Sequence, residues 1–116
     1  MKTRVFFAAL VMLGSVSSCA QLDPHPMDMT NAIQGAKTDA NHAALARHYE
    51  AAADAARLKV KEHKKELKEY ETHPYYGKRA QDLKAHCHRL INSYEQAVEA
   101  NTAMAEIHRK MAAETK

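Results

Sequence analysis

Histidine and methionine side chains recur at helical spacing in the second half of the chain. Met104, His108 and Met111 are separated by four and three residues, so they would project from one face of a helix. His42 would lie level with His108 if the chain folds back near residues 74–75. Thioether and imidazole groups are soft ligands suited to Cu(I), and imidazole also suits Zn²⁺. The set predicts a copper or zinc site; the alternative is a core filled by methionine, with each histidine hydrogen-bonded to a neighbouring side chain.

A second set of possible metal ligands lies nearer the fold-back. The same geometry places His63 level with His86 and Cys87. His88 lies two residues from His86 and therefore faces elsewhere, so at most His86 and Cys87 converge with His63. A tetrahedral zinc site would then need a second copy of the chain. Cys87 has two other interpretations, a buried inert thiol and an intermolecular disulfide.

Two long helical runs must position these side chains. Thr38 and Asp39 form a plausible N-cap pair, and the proline and glycine within 73–77 are typical of a turn. The pattern predicts helices over about 39–71 and 78–113, each roughly 50 Å long at 1.5 Å per residue. The short connection makes them antiparallel. The predicted fold is therefore an all-α, antiparallel two-helix hairpin with a seam like that of a coiled coil.

The predicted seam is the narrow stripe along which the two helices would meet. In the first helix it follows residues seven apart, flanked by aliphatic side chains: His42, Tyr49, Ala56, His63 and Tyr70, with Leu45, Ala52, Ala53, Val60 and Leu67. In the second it alternates steps of four and three: Leu83, Cys87, Leu90, Tyr94, Ala97, Asn101, Met104, His108 and Met111. Ile91, Val98, Ala105 and Ile107 lie beside this line and could widen the apolar face.

The N-terminus is typical of a secretory signal, predicted over 1–18. Lys2 and Arg4 precede the apolar run 5–13, and small residues follow over 14–20.

Without 1–18 the chain has 98 residues, with only eleven Leu, Ile or Val and no Phe or Trp. This composition is too poor for a barrel, a sandwich or an α/β enzyme with a pocket. A lone hairpin would bury only one stripe of side chains. We therefore expect either that two hairpins form a dimeric four-helix bundle or that the hairpin docks onto an envelope protein. A weakly folded monomer is the alternative.

Charge and motifs exclude further classes of protein. The chain has 17 basic and 14 acidic side chains, and loss of Lys2 and Arg4 leaves 15 against 14. No basic stripe is present, so we expect no nucleic-acid partner. The sequence lacks Glu-x-x-His, His-Glu-x-x-His and Cys-x-x-Cys-His motifs and has too few glycines for a phosphate loop. We therefore expect no enzymatic activity.

The end of the signal carries a family resemblance. Val16-Ser17-Ser18-Cys19 resembles the lipobox of bacterial lipoproteins, in which the cysteine is lipidated and becomes the new N-terminus. The resemblance implies a lipid anchor on Cys19 and, because Ala20 is not aspartate, the periplasmic face of the outer membrane. The alternative is ordinary cleavage after Ala20, which would release a soluble periplasmic protein.

These features predict three segments and two possible functions. After the signal, 19–37 would be the lipidated N-terminus and a flexible tether, and 38–116 the helical hairpin. The first function is a non-enzymatic structural or interaction module that is anchored to the membrane by lipid. The alternative is a periplasmic protein that binds or sequesters copper or zinc through the histidines, methionines and cysteine of the predicted seam.

Overall fold

The computed structural model describes residues 27–73 and 77–115. These residues form three helices and no strand: α1 Met29–Gln34, α2 Asp39–Thr72 and α3 Arg79–Glu114. The two long helices are confirmed to within one residue at each end. The predicted signal peptide, the lipidation site Cys19 and the tether up to residue 26 lie outside the described residues.

Side-chain caps account for the starts of α1 and α2. The Thr38 side-chain oxygen accepts a hydrogen bond from the backbone N–H of Asn41, at 3.2 Å, which confirms the predicted N-cap. The carboxylate of Asp28 accepts from the backbone N–H of Asn31, at 3.2 Å, and from its side-chain amide, at 2.7 Å. This cap explains why six residues of the segment predicted as a tether form the short helix α1.

The two long helices pack against each other in antiparallel orientation. His42 pairs with His108, whereas Lys64, 22 residues later in α2, pairs with Glu95, earlier in α3. We call the end that holds the start of α2 and the last turns of α3 the open end. The end where α2 stops and α3 begins is the closed end. There Gly77 has a φ of 51°, a left-handed conformation that glycine adopts without steric cost.

The core is a thin line of small and medium side chains between α2 and α3. Its buried members are His42, Leu45, Ala46, His48, Ala53 and Ala56 from α2, with Cys87, Ile91, Ala105 and His108 from α3. Leu45 is the largest side chain that is fully buried. Eight of the ten are nearer the open end than Cys87 and Ile91, so packing is densest at that end.

The face that α3 turns toward α2 differs from the predicted seam. Leu90, Met104 and Met111, which we expected inside, are 41%, 37% and 39% exposed. Ile91 and Ala105 are buried instead. The physical reason is size: facing alanines on α2 bring the helices close, and Ala105 fits that gap where the longer Met104 would not. Cys87 and His108 keep their predicted inner positions.

Polar pairs close one flank of the interface. They recur every seven residues on both helices and join Glu50 to Arg109, Arg57 to Thr102 and Lys64 to Glu95. The Lys64–Glu95 distance is 2.8 Å and both side chains are about half exposed. Exposed pairs of this kind add little stability, but their repeat reinforces a single alignment of the two helices.

Candidate functional site

Two buried histidines meet across the interface at the open end. His42 lies in the first turn of α2 and His108 lies six residues before the end of α3. Their Nδ1 atoms are 3.2 Å apart, and the side chains are only 6% and 9% exposed. The prediction that these two histidines lie opposite each other across the hairpin is therefore confirmed. Because one Nδ1 must donate to the other, the two imidazoles carry different tautomers in this arrangement.

Aromatic rings extend the histidine pair into a stack. The rings of His42 and His108 have centroids 5.4 Å apart and planes inclined by 23°. Tyr49, one heptad after His42, lies parallel to His108 with centroids 5.6 Å apart, and His48 contacts the Tyr49 ring edge-on. We call His42, His108 and Tyr49 the ring stack. Burial, and to a lesser extent the neighbouring His42, lowers the pKa of His108, which favours the neutral imidazole.

The predicted methionine ligands do not join the buried part of the ring stack. Met104 and Met111 lie one turn on either side of His108, on the solvent-facing edge of α3. The structure therefore brings together the two imidazoles of the predicted distal set and leaves the two thioethers at its rim.

The second predicted set of metal ligands, His63, His86 and Cys87, is not brought together either. The ring of His63 stacks on Tyr94, with centroids 5.5 Å apart, and its Nδ1 lies 2.7 Å from a Glu66 carboxylate oxygen. His86 is exposed, and the Arg89 guanidinium donates to its Nδ1 at 2.9 Å. Across residues 27–73 and 77–115, no group of three or more His, Cys, Asp or Glu side chains is arranged to hold a metal ion.

Cys87 is a free cysteine buried between the helices. Burial, with a smaller contribution from the Glu66 carboxylate, raises the pKa of its thiol. A protonated, enclosed thiol is a poor nucleophile and a poor metal ligand. Of the three interpretations of Cys87, this geometry favours the inert thiol.

An exposed apolar face runs along α3 beside the interface and was only partly recognised from sequence. Its members lie alternately three and four residues apart, and all of them except Ser93 are apolar: Leu90, Ser93, Ala97, Ala100, Met104, Ile107 and Met111. We call these seven residues the outer stripe. Leu90, Ala97, Met104 and Met111 had been assigned to the predicted seam, and Ile107, half exposed, had been placed beside it; Ala97 is half-buried, at the border of the face that packs on α2. The signal that could have found it is this second heptad series within the same helix.

Comparison with protein-family models, with curated proteins and with solved structures finds no match. Among the described residues, no helix combines the length and the apolar character that crossing a membrane requires.

Proposed function

We propose that this chain is a lipid-anchored protein of the bacterial envelope whose helical hairpin is a non-enzymatic interaction module. The observation that carries the proposal is the outer stripe. It gives α3 a second face with coiled-coil spacing, in addition to the one that packs on α2. A helix that is apolar on two faces needs a second neighbour, and α2 covers only one of them.

The composition of the outer stripe favours a second copy of this chain as the partner. Ala100 lies at the centre of the outer stripe, and in an antiparallel pairing of two α3 helices the small Ser93 and Ala97 would face the larger Ile107 and Met104 of the other copy. Leu90 on one side and Ile107 with Met111 on the other would fill the ends of an antiparallel α3–α3 contact. The residues on its outer edge between them, Gln96 and Ala103, are uncharged. A symmetric dimer of hairpins, a four-helix bundle, would cover this face on both copies.

Charge introduced into the outer stripe tests this dimer. We expect the full chain in detergent to sediment as a dimer, and the double variant Met104→Glu with Ile107→Glu to sediment as a monomer. Both changes lie at the proposed contact, where unpaired charges would lose their water. Leu58→Lys is the matched control, because Leu58 is a strongly exposed aliphatic residue on α2, away from the outer stripe. A wild-type chain that stays monomeric at high micromolar concentration contradicts the dimer.

The lipid anchor is supported by the lipobox resemblance and by the position of the hairpin after it. Several acyl chains on Cys19 would hold the protein on a membrane far more stably than a single chain does, at about 0.8 kcal/mol per buried CH₂. With Ala20 after the cysteine, we propose the periplasmic face of the outer membrane as the location. The hairpin would then project from this surface into the periplasm.

Substitution of Cys19 separates lipidation from ordinary cleavage. We expect the wild-type protein to incorporate labelled palmitate and to remain with the membrane fraction, and Cys19→Ala to lose both properties. Cys87→Ala is the control for the label, since it removes the other cysteine of the chain. Recovery of the wild-type protein in the periplasmic fraction with Gln21 at its N-terminus would support cleavage after Ala20 and refute the anchor.

A further inference from the structure

We propose that His42 and His108 form a two-coordinate site for a soft monovalent cation, Cu(I), bound between their two Nδ1 atoms. This inference does not depend on the dimer or on the lipid anchor. It narrows the predicted copper or zinc site to one metal and two ligands.

The geometry of the pair is the first argument. Two imidazole nitrogens already converge at 3.2 Å, from opposite helices, inside the protein. Metal–imidazole bonds of about 2.0 Å would place the two nitrogens of a linear site roughly 4 Å apart. The rings therefore need to separate by less than about 1 Å, and small rotations of the two side chains at the helix ends suffice.

The number of ligands is the second argument. Zinc in a structural site takes four ligands in tetrahedral arrangement, and among the described residues no third His, Cys, Asp or Glu joins this pair. In the part of the chain that the structure describes, no Asp or Glu side chain completes a group of metal ligands with this pair, so a divalent ion would be buried without a carboxylate ligand. A monovalent soft ion needs fewer ligands and carries half that charge, and imidazole nitrogen is a suitable ligand for copper.

The surroundings of the pair are the third argument. The Tyr49 ring lies parallel to the His108 ring, with centroids 5.6 Å apart, and Leu45 and Ala105 are fully buried nearby on the same turns of α2 and α3. Met104 and Met111 lie at the solvent edge on either side of His108. Thioethers at this edge could pass Cu(I) inward without displacing a ligand from the final site.

The proton balance of binding is simple. In the hydrogen-bonded pair one imidazole carries its proton on Nδ1 and the other on Nε2. Binding needs a lone pair on both Nδ1 atoms, so the first imidazole moves its proton to Nε2 through solvent. Both rings stay neutral, and no net proton is released.

The test is an anaerobic titration of the full chain, purified in detergent, with Cu(I) held by a coloured competing chelator. We expect one Cu(I) per chain, and a loss of affinity of at least about 100-fold in His42→Asn, because removal of a direct ligand costs more than removal of its support. Asparagine keeps a polar group near the position of Nδ1, so the variant can fold; its helicity by circular dichroism verifies this. His88→Ala, which removes an exposed histidine of α3, is the matched control and should bind as the wild type does.

X-ray absorption of the copper-loaded chain identifies the ligands independently of affinity. We expect two nitrogen ligands and no sulfur. Sulfur in the coordination shell would overturn the proposal, and so would binding that survives in His42→Asn but is lost in Cys87→Ala. Equal affinity of the wild type for Zn²⁺ in the same competition format would overturn the choice of a monovalent ion.

Discussion

Replacing Leu45 with alanine is expected to lower the free energy of unfolding by about 2 to 4 kcal/mol. Leu45 is 1% exposed and is the largest fully buried side chain. Two thin helices have few neighbouring side chains that could move into the vacated space, so much of the cavity should remain. Small domains are stable by only about 5 to 15 kcal/mol, and this loss is a large part of that margin. Urea unfolding followed by circular dichroism at 222 nm, at one fixed protein concentration, measures it.

Leu58→Ala provides the matched control on the same helix. Leu58 is 69% exposed, so the same chemical change there removes little buried area and should cost less than about 0.5 kcal/mol. The helix propensities of the two variants change equally, which leaves burial as the difference between them. Similar losses for Leu45→Ala and Leu58→Ala would contradict the interface between α2 and α3 described above.

Enlarging Ala105 to leucine is expected to destabilise the hairpin by about 1 to 3 kcal/mol, although leucine is more apolar and forms helices almost as well. Ala105 is completely buried, and the opposite helix supplies further small residues, Ala46 and Ala53. The added side chain must therefore push the helices apart or leave the interface. Thermal unfolding of the variant, followed by circular dichroism, measures the change.

Ala85→Leu is the control for this substitution. Ala85 is an exposed residue of α3 that lies away from the outer stripe, and a leucine there meets solvent. We expect its unfolding temperature to stay close to that of the wild type. If Ala105→Leu is as stable as Ala85→Leu, the helices do not approach closely at Ala105.

Local signals in the sequence were sufficient to predict the helices. The Thr38 cap, the long stretch without a breaker and the proline and glycine before Lys78 gave ends within one residue of those observed. Short-range hydrogen bonds and backbone preferences decide such features, and they act within a few residues. The His42–His108 pair was predictable for a related reason, because an antiparallel hairpin relates residue positions on its two helices.

The rotation of α3 could not be predicted in the same way. Leu90, Met104 and Met111 form as regular a heptad series as Ile91, Val98 and Ala105, so periodicity alone does not choose between them. The choice depends on how closely the helices approach, and this depends on the alanines of α2. The predicted metal site is divided for the same reason. The rotation of α3 places Met104 and Met111 at the surface, whereas His108 stays buried.

Dense packing at the open end has a kinetic consequence. The His42–His108 contact there closes a loop of 66 residues, whereas Lys64 and Glu95 are 31 residues apart. Shorter loops cost less entropy to close, so the chain should fold from the closed end outward and complete the ring stack last. Contacts absent from the transition state affect mainly the rate of unfolding. Leu45 and the ring stack should therefore control how long a folded hairpin lasts, with little influence on how fast it forms.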